Sequence, residues 1–226
     1  MPKNRPSVLV FDVNETLSDL SPLGDRFAEA GLPADRMPLW FAGILRDGIA
    51  LAAAGGYADF ADLARDGLRA LLPAEWAEAE GEAAVEHVVS GFAELNVHPD
   101  VPDGVRALRA AGFRLVTMTN GSPDLSEGLL RRAGVRDCFE ALHGVRGPGR
   151  WKPHPAAYHY PVERAGVRPD QAMLVAVHPW DVDGAQRAGL LGAWIRRGAG
   201  PRAYPSSLTP PGVTARDLVE LAAVLG

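Results

Sequence analysis

The sequence of 226 residues has one cysteine, no cluster of basic residues and no long apolar run. Cys138 has no second cysteine with which to form an internal disulfide, and the first predicted strand is too short and too early in the sequence to be the apolar part of a secretory signal peptide. The longest apolar stretch, residues 48–56, is far shorter than the roughly 18 residues that cross a bilayer. We therefore expect a cytoplasmic protein with no membrane partner.

Acidic residues slightly outnumber basic ones. With 28 Asp and Glu against 23 Lys and Arg, the formal net charge is −5, and no stretch is rich in Lys or Arg. A nucleic acid and an anionic membrane surface are therefore not expected as partners. The length and the 47% of hydrophobic residues allow a substantial core, in one large domain or one domain with a modest insertion. These limits leave a small-molecule enzyme or a protein-binding domain.

Continuous apolar runs predict the strands of a parallel sheet. Residues 8–11 read VLVF, without the alternation of a half-exposed strand, as expected for a strand buried on both faces. Similar runs lie within residues 113–122, 171–181 and 191–197, and helical segments alternate with them. Those segments, each of which ends at a glycine, are residues 102–112, 123–134, 154–166 and 181–189. This order predicts an α/β fold with a doubly wound, Rossmann-like parallel sheet.

Residues 18–95 differ in composition from the rest of the chain. They lack runs of β-branched residues and are rich in Ala, Leu, Asp, Glu and Arg, which predicts helices. We therefore expect a helical cap subdomain at residues 18–95, inserted after the first strand, and an α/β core domain from residues 1–17 and 96–226. The Pro- and Gly-rich residues 198–212 predict a surface loop, followed by a final helix with Thr214 as its N-cap.

Polar and charged residues follow the predicted strands at their carboxyl ends, where open parallel sheets bind ligands. Asp12, the pair Thr119 and Asn120, Lys152, and Asp181 should therefore lie around one cleft. Taken singly, each carboxylate could cap a turn or helix, the Thr–Asn pair could be a polar turn, and the lysine could be a solvated loop residue. Taken together, they form a set that can perform nucleophilic chemistry.

Four motifs occur in order along nearly the whole chain: FDVNETL, TNGSP, WKPHPAAY and HPWDVDGA. With helices inserted after the first, they resemble the motifs of the haloacid dehalogenase (HAD) superfamily, and more narrowly those of the type II (S)-2-haloacid dehalogenases. The resemblance implies a hydrolase for small 2-haloalkanoic acids. Its nucleophile would be Asp12, whose carboxylate attacks the α-carbon, expels halide and forms an ester that water hydrolyses to the 2-hydroxy acid.

The resemblance also implies roles for the residues around Asp12. Lys152 matches the lysine that balances the charge of the nucleophile, and Thr16 should help to hold the Asp12 carboxylate. Asp181 matches the acid that orients or deprotonates the hydrolytic water. The expected substrate contacts are Thr119, Asn120, Tyr158, Asn14, Trp40, Phe41, Trp180 and His178.

Asn14 separates a dehalogenase from the phosphatases of the same superfamily. In the phosphatases the residue two positions beyond the nucleophile is an aspartate that protonates the leaving alcohol, and Mg²⁺ offsets the charge of the phosphate. Asn14 cannot donate that proton, whereas a halide leaves without one, so we expect no metal and no cofactor. Two alternatives stay open: a Mg²⁺-dependent phosphatase with Asp12 and Asp181 as metal ligands, and a catalytically silent ligand-binding protein of this fold.

Two motifs depart from the dehalogenase pattern. In these enzymes an arginine follows a tryptophan of the cap and receives halide and substrate carboxylate. This arginine is absent here, because Phe41 follows Trp40. We therefore expect Phe41, Trp40 and Trp180 to form a tight apolar pocket beside the α-carbon. In the fourth motif, Ala176 and His178 replace the usual serine and asparagine, so His178 is either a substitute hydrogen-bond donor or a strand-end histidine. A homodimer is left open as the assembly.

Overall fold

The computed structural model describes residues 5–198 and 203–226 of the chain. The strands in these residues are β1 Val8–Phe11, β2 Arg114–Thr119, β3 Phe139–Gly144, β4 Ala172–Ala176, β5 Leu191–Ile195 and β6 Val213–Ala215. They form one sheet in the order β3-β2-β1-β4-β5-β6, and every neighbouring pair is parallel. The completely buried β1 lies where the strand order reverses, which is the place at which open α/β sheets bind ligands.

Helices cover the sheet and form the segment between β1 and β2. They are α1 Leu23–Glu29, α2 Met37–Ala53, α3 Phe60–Arg69, α4 Glu78–Ser90, α5 Val101–Ala110, α6 Pro123–Arg132, α7 Pro155–Arg164, α8 Pro179–Arg187 and α9 Leu218–Leu225. The prediction of a doubly wound α/β fold is confirmed. In the described residues, no helix is long and apolar enough to span a membrane.

The inserted segment contains helices α1 to α4 and, apart from two isolated bridges at Ser18, no β-structure. Ser18 pairs with Val97, so the chain leaves and re-enters the core at adjacent points. The helical cap predicted after the first strand is thus present. Its boundaries, residues 17/18 and 95/96, stay a prediction, and residues 1–4 lie outside the described part of the core.

The prediction for the carboxyl-terminal region is wrong in one respect. Thr214 does not cap a helix, because residues 213–215 pair with β5 as an additional strand whose side chains are alternately buried and exposed. Helix α9 begins later and is capped by Asp217, whose carboxylate accepts a hydrogen bond from the backbone N–H of Glu220 at 2.7 Å. In the predicted loop, residues 203–212 form neither helix nor strand, and residues 199–202 lie outside the described residues.

Helix α2 of the cap packs closely on the loop that carries Lys152. Trp151 is completely buried, and its indole Nε1 donates a hydrogen bond to the carbonyl oxygen of Ala58 at 2.8 Å. The ring stacks on Phe60 with 5.9 Å between centroids. Gly48 leaves the space that the Trp151 ring fills, because a Cβ at this position would overlap the ring. The cap therefore fixes the residue next to Lys152.

Replacing Gly48 with alanine should destabilise the protein, although alanine is the better helix former. Overpacking against Trp151 should cost about 1–3 kcal/mol. Gly43 in the same helix is the matched control, because a Cβ there meets nothing within 4 Å. Gly43→Ala should raise the free energy of unfolding by roughly 0.5–1 kcal/mol. Denaturant unfolding should move the two midpoints in opposite directions, and equal stabilisation by both would contradict the packing.

Candidate active site

Three ionisable side chains, Asp12, Lys152 and Asp181, form the centre of the site. Asp12 directly follows β1, Lys152 lies in the loop before α7, and Asp181 is in the first turn of α8. The Nζ atom of Lys152 lies 2.7 Å from Oδ1 of Asp12 and 2.7 Å from Oδ2 of Asp181. All three side chains are buried. One ammonium group thus bridges two carboxylates away from bulk water, while the catalytic roles of these residues stay a prediction.

Two hydroxyl groups complete the hydrogen bonds of the two carboxylates. The Thr16 hydroxyl donates to Oδ2 of Asp12 at 2.7 Å, and its oxygen accepts from the backbone N–H of Val177 at 3.1 Å. The Tyr158 hydroxyl donates to Oδ1 of Asp181, also at 2.7 Å. Because Val177 follows β4 and Tyr158 lies in α7, the core elements on both sides of β1 orient the two acids.

The turn after β2 contributes the predicted polar pair. The Asn120 side-chain oxygen accepts a hydrogen bond from the backbone N–H of Lys152 at 3.0 Å, which ties this turn to the lysine loop. The Thr119 hydroxyl oxygen accepts from the N–H of Gly121 at 2.9 Å. Ser122 caps α6, because its hydroxyl oxygen accepts from the N–H of Asp124 at 3.1 Å. The turn therefore directs the amino end of α6 toward the site.

His178 lies between two carboxylates. Its Nε2 is 2.7 Å from Oε2 of Glu15, and its Nδ1 is 3.4 Å from Oδ2 of Asp12. The latter contact has the distance of an ion pair but does not satisfy hydrogen-bond geometry, and within the described residues Nδ1 has no hydrogen-bond partner. Glu15 has a φ of 62°, a left-handed conformation that non-glycine residues rarely adopt. Trp180 packs against the His178 ring, with centroids 5.3 Å apart.

The charges of the site set the protonation states. Burial raises the pKa of Asp12, but the charges of Lys152 and His178 outweigh burial and hold it well below the usual range. Burial lowers the pKa of Lys152, yet the two aspartates raise it above its ordinary value. Burial lowers the pKa of His178, but the neighbouring carboxylates of Asp12 and Glu15 outweigh burial and raise it to about 9. Asp12 is thus an anion held by two cations.

Asp181 differs from Asp12 although Lys152 contacts both. Burial raises the pKa of Asp181; the charge of Lys152 opposes this effect and the charge of Asp12 adds to it, so that the pKa lies above its ordinary value. Burial and the charge of Asp181 also raise the pKa of Tyr158 well above its ordinary value. Two carboxyls with opposite shifts can serve as a nucleophile and as a proton acceptor in one site.

A small pocket of about 20 Å³ lies between the polar turn and the cap. Its polar side comes from Asn14, Ser18, Thr119, Gly121, Ser122 and Ser126. Its apolar side comes from Val13, Phe60, Phe92, Leu95, Leu125 and Leu129. None of its lining residues carries a charge. About 10–15 Å³ accommodates one water molecule, so the pocket has room for only one or two groups of that size.

The structure does not bring Phe41, Trp40 and Trp180 together as a wall of the small pocket. Trp40 and Phe41 are 2% and 4% exposed and do not line the pocket, because α2 directs them into the interior of the cap. The Trp40 indole donates to the carbonyl oxygen of Ala64 at 2.9 Å. Phe60 and Phe92 form the wall instead, and they pack edge-on with 5.3 Å between centroids. Trp180 lies beside His178 and does not line the pocket either.

A larger cavity of about 560 Å³ adjoins the small pocket. The two share Phe60, Gly121, Ser122 and Leu125. At its margin, Arg146 of the core forms an ion pair with Asp59 of the cap. This cavity gives a small molecule a way between cap and core to the polar turn.

The structure adds three residues that the sequence did not indicate as site residues: Glu15, Phe60 and Phe92. Glu15 lies inside the first motif, but only its left-handed backbone conformation brings it to His178. Phe60 and Phe92 are two of several aromatic residues in the cap, and no sequence signal distinguishes them from Trp40 or Phe41. Ser122 belongs to the quoted motif TNGSP, in which Ser before Pro is typical of a helix start.

The two carboxylates at the centre of the site share a cation that belongs to the protein. Across residues 5–198 and 203–226, no group of three or more His, Cys, Asp or Glu side chains has the arrangement of a metal site. The ammonium of Lys152 contacts both carboxylates, Asp12 and Asp181, that would have to hold the ion. Asn14 supplies a neutral amide where a phosphatase has an acid.

Comparison with known proteins identifies the family of this chain. A protein-family model of haloacid dehalogenase-like hydrolases matches residues 6–189. Haloacetate dehalogenase H-2 of Moraxella sp. (strain B) is 34% identical over 116 residues, 51% of this chain and 52% of that protein. (S)-2-haloacid dehalogenase 1 of Pseudomonas sp. (strain CBS-3) is 28% identical over 197 residues, 86% of each protein. The L-2-haloacid dehalogenase of Xanthobacter autotrophicus, solved with chloropropionic acid covalently bound, has a TM-score of 0.83 at 23% identity and covers 97% of this chain and 98% of its own.

Proposed function

Because this chain belongs to the haloacid dehalogenase-like hydrolase family, we propose that it hydrolyses small 2-haloalkanoic acids to 2-hydroxy acids through an ester of Asp12. One observation carries the proposal: the Asp12 carboxylate is held as an anion, 2.7 Å from Lys152, and the next two residues of the chain, Val13 and Asn14, line a small pocket without charged residues. A desolvated carboxylate next to an uncharged pocket is suited to attack carbon. Two relatives of this chain, the Moraxella and Pseudomonas enzymes, are dehalogenases of haloacetate and (S)-2-haloacids by name.

The proposed reaction has two half-reactions. An Asp12 oxygen forms a bond to the α-carbon, the carbon–halogen bond breaks, and the halide leaves with the bonding electron pair. Water then attacks Cγ of the ester, the 2-hydroxy acid leaves, and Asp12 is regenerated with release of one proton. Asp181 is the proposed acceptor of the water proton, because its raised pKa makes it a stronger base than an ordinary aspartate. The Xanthobacter enzyme, which shares the fold, has been solved with chloropropionic acid covalently bound.

The polar turn after β2 is the proposed site of the substrate carboxylate. Thr119, Gly121 and Ser122 line the pocket at the amino end of α6, where helix N–H groups favour an anion. Asn120 holds the turn against the lysine loop. The halogen would then face Phe60 and Phe92, which cannot donate a hydrogen bond. A charge-assisted donor, such as the arginine that Phe41 replaces, contributes about 1.5–3 kcal/mol. Its absence predicts a turnover roughly one to two decades slower than that of a dehalogenase with this arginine.

Metal independence is part of the proposal. Lys152 already balances the charges of Asp12 and Asp181, and the halide needs neither a proton from position 14 nor a metal to leave. A Mg²⁺-dependent phosphatase would need a proton donor for the leaving alcohol, which Asn14 does not supply. We therefore propose that EDTA leaves the activity unchanged.

Substrate size should have a strong effect on turnover. The pocket has room for one or two water-sized groups, so chloroacetate should be preferred over 2-chloropropionate and 2-chlorobutyrate. Each added methylene should lower kcat/KM by about tenfold or more. The measurement is halide release from the three acids, with and without EDTA, alongside phosphate release from a phosphate ester with Mg²⁺.

The outcomes of this screen separate the candidate functions. Halide release that EDTA does not affect supports the dehalogenase. Phosphate release that requires Mg²⁺, without halide release, would replace the proposal by a phosphatase. Binding of 2-halo acids without turnover, equal in the wild type and in Asp12→Asn, would indicate a silent binding protein. Equal rates for all three chain lengths would contradict the size limit of the pocket.

A further inference from the structure

The two oxygens of the Asp12 carboxylate have different surroundings. Oδ1 contacts Lys152 Nζ at 2.7 Å. Oδ2 accepts a hydrogen bond from the Thr16 hydroxyl at 2.7 Å, and Nδ1 of His178 lies 3.4 Å from the same oxygen. A carboxylate oxygen has two lone pairs, so Oδ1 keeps one for attack on carbon, whereas two donor groups converge on Oδ2.

Glu15 holds His178 in this position. Its carboxylate lies 2.7 Å from Nε2, and Nδ1 is buried and without another partner among the described residues. An imidazole with a carboxylate at each nitrogen carries a proton on both, so an N–H at Nδ1 faces Asp12. The left-handed backbone of Glu15 is the kind of strain that proteins keep at functional sites.

We propose that His178 and Thr16 form the oxyanion hole for hydrolysis of the Asp12 ester, and that Glu15 is the positioning residue that holds His178. The inference rests on the proposed function and assigns the two donors to its second half-reaction. It replaces the expectation that His178 binds substrate carboxylate or halide, because both ring nitrogens face carboxylates of the protein and His178 does not line the small pocket.

The atoms balance as follows. Attack by Oδ1 leaves Oδ2 as the carbonyl oxygen of an uncharged ester. Water adds to Cγ and gives a proton to Asp181, while the carbonyl electron pair moves to Oδ2, where Thr16 and His178 donate. The Cγ–Oδ1 bond then breaks, the 2-hydroxy acid leaves with Oδ1, and its alkoxide takes the proton from Asp181. Asp12 keeps the water oxygen and loses the remaining proton to solvent.

The two half-reactions place opposite demands on Oδ2. Before attack, donors on Oδ2 withdraw charge from the nucleophile, so His178 does not accelerate the displacement. During hydrolysis a full negative charge develops on Oδ2, and removal of one oxyanion donor lowers such a rate by about 10²–10³-fold. Loss of His178 should therefore slow ester hydrolysis and spare ester formation.

The test is rapid mixing with excess chloroacetate, followed by halide release and intact protein mass. His178→Ala should release a burst of about one halide per enzyme and then accumulate protein heavier by one carboxymethyl group. Its ester should hydrolyse about 10²-fold more slowly than the wild-type ester. His178→Asn, whose amide donates a hydrogen bond without charge, should recover part of the rate of ester hydrolysis. This variant also tests the inference if the alanine variant does not fold. Glu15→Gln should lie between the wild type and His178→Ala.

A second Glu–His pair in the chain provides the control. His87 and Glu29 lie on the cap surface, with Nε2 2.9 Å from the carboxylate. His87→Ala and Glu29→Gln should leave both half-reactions unchanged. A folded His178→Ala that hydrolyses its ester at the wild-type rate would overturn the oxyanion hole while leaving dehalogenation intact. If the wild type releases no halide from any 2-halo acid, the proposed function fails and the inference with it.

The pH dependence separates an oxyanion donor from a general base. Loss of the Asp12 charge in the ester should lower the pKa of His178 from its value of about 9 in the free enzyme. When His178 becomes neutral, Glu15 retains the remaining proton on Nε2, so Nδ1 cannot donate. Ester hydrolysis should therefore slow as pH rises through this pKa, and at lower pH in Glu15→Gln. A rate that rises over this range in the wild type, but not in His178→Asn, would show a base and overturn the assignment. His178 and Glu15 also line a second cavity, separate from the small pocket. The other charged or titratable groups that line this second cavity are Asp19, His98, Arg196 and Arg197.

Discussion

Asp12→Asn should remove halide release, lowering kcat for chloroacetate by on the order of 10⁴-fold or more. An amide is a poor nucleophile, and no residue that lines the small pocket is an acid that could replace Asp12. The fold should persist, because Asn keeps the shape of Asp and Lys152 retains its contact with Asp181. Halide release and the absence of a carboxymethyl adduct in the intact mass would check the prediction.

Asp183 is the matched control for the loss of a buried acid. It lies on α8, 8% exposed, and its carboxylate contacts Arg187 and the backbone N–H of Thr209, outside the site. Asp183→Asn should therefore lose some stability but retain halide release. Persistent activity of Asp12→Asn, in a preparation whose mass excludes deamidation to Asp, would show that water rather than Asp12 attacks the carbon.

The centre of the site could be predicted from the sequence because parallel strands end at one edge of the sheet. Asp12 after β1, Asn120 after β2 and Asp181 after β4 are brought together by that topology, whatever the detailed packing. Lys152 follows from the third motif. Thr16 and Tyr158 could be named from the motifs, but only the structure shows that their hydroxyl groups donate hydrogen bonds to the two aspartates.

The apolar wall and the edges of the sheet could not be predicted in the same way. The orientation of α2 in the cap depends on its contacts with α1, α3 and Trp151, and a helical pattern alone does not show which aromatic residue faces the core. Strand β3 is partly exposed, so it lacks the continuous apolar run that marks the buried strands, and β6 is only three residues long. The contact of Glu15 with His178 spans 163 positions and depends on one unusual backbone angle.

Lys152→Met should be strongly destabilising, by about 3–5 kcal/mol near pH 7, because it leaves two buried carboxylates without their shared cation. Methionine has a similar length, so the loss reflects charge more than a cavity. In the wild type the depressed pKa of Asp12 contributes stability above its unfolded pKa of about 3.9, which is lost as pH falls. In the variant, burial and mutual repulsion raise the pKa values of Asp12 and Asp181 in the folded state. The stability of the variant therefore falls as pH rises above the unfolded pKa of about 3.9.

The difference in free energy of unfolding between wild type and Lys152→Met should therefore shrink as pH falls from about 7 toward about 4. Denaturant titrations at both pH values measure it. The double variant Lys152→Met/Asp181→Asn should recover part of the loss near neutral pH, because one buried charge is removed with its partner. Arg69→Met is the exposed control: Arg69 also bridges two carboxylates, Asp66 and Glu82, but water screens these contacts, so their loss should have a much smaller effect on stability. A loss for Lys152→Met that is equal at both pH values would mean that packing of the lysine chain, and not its charge, stabilises the site.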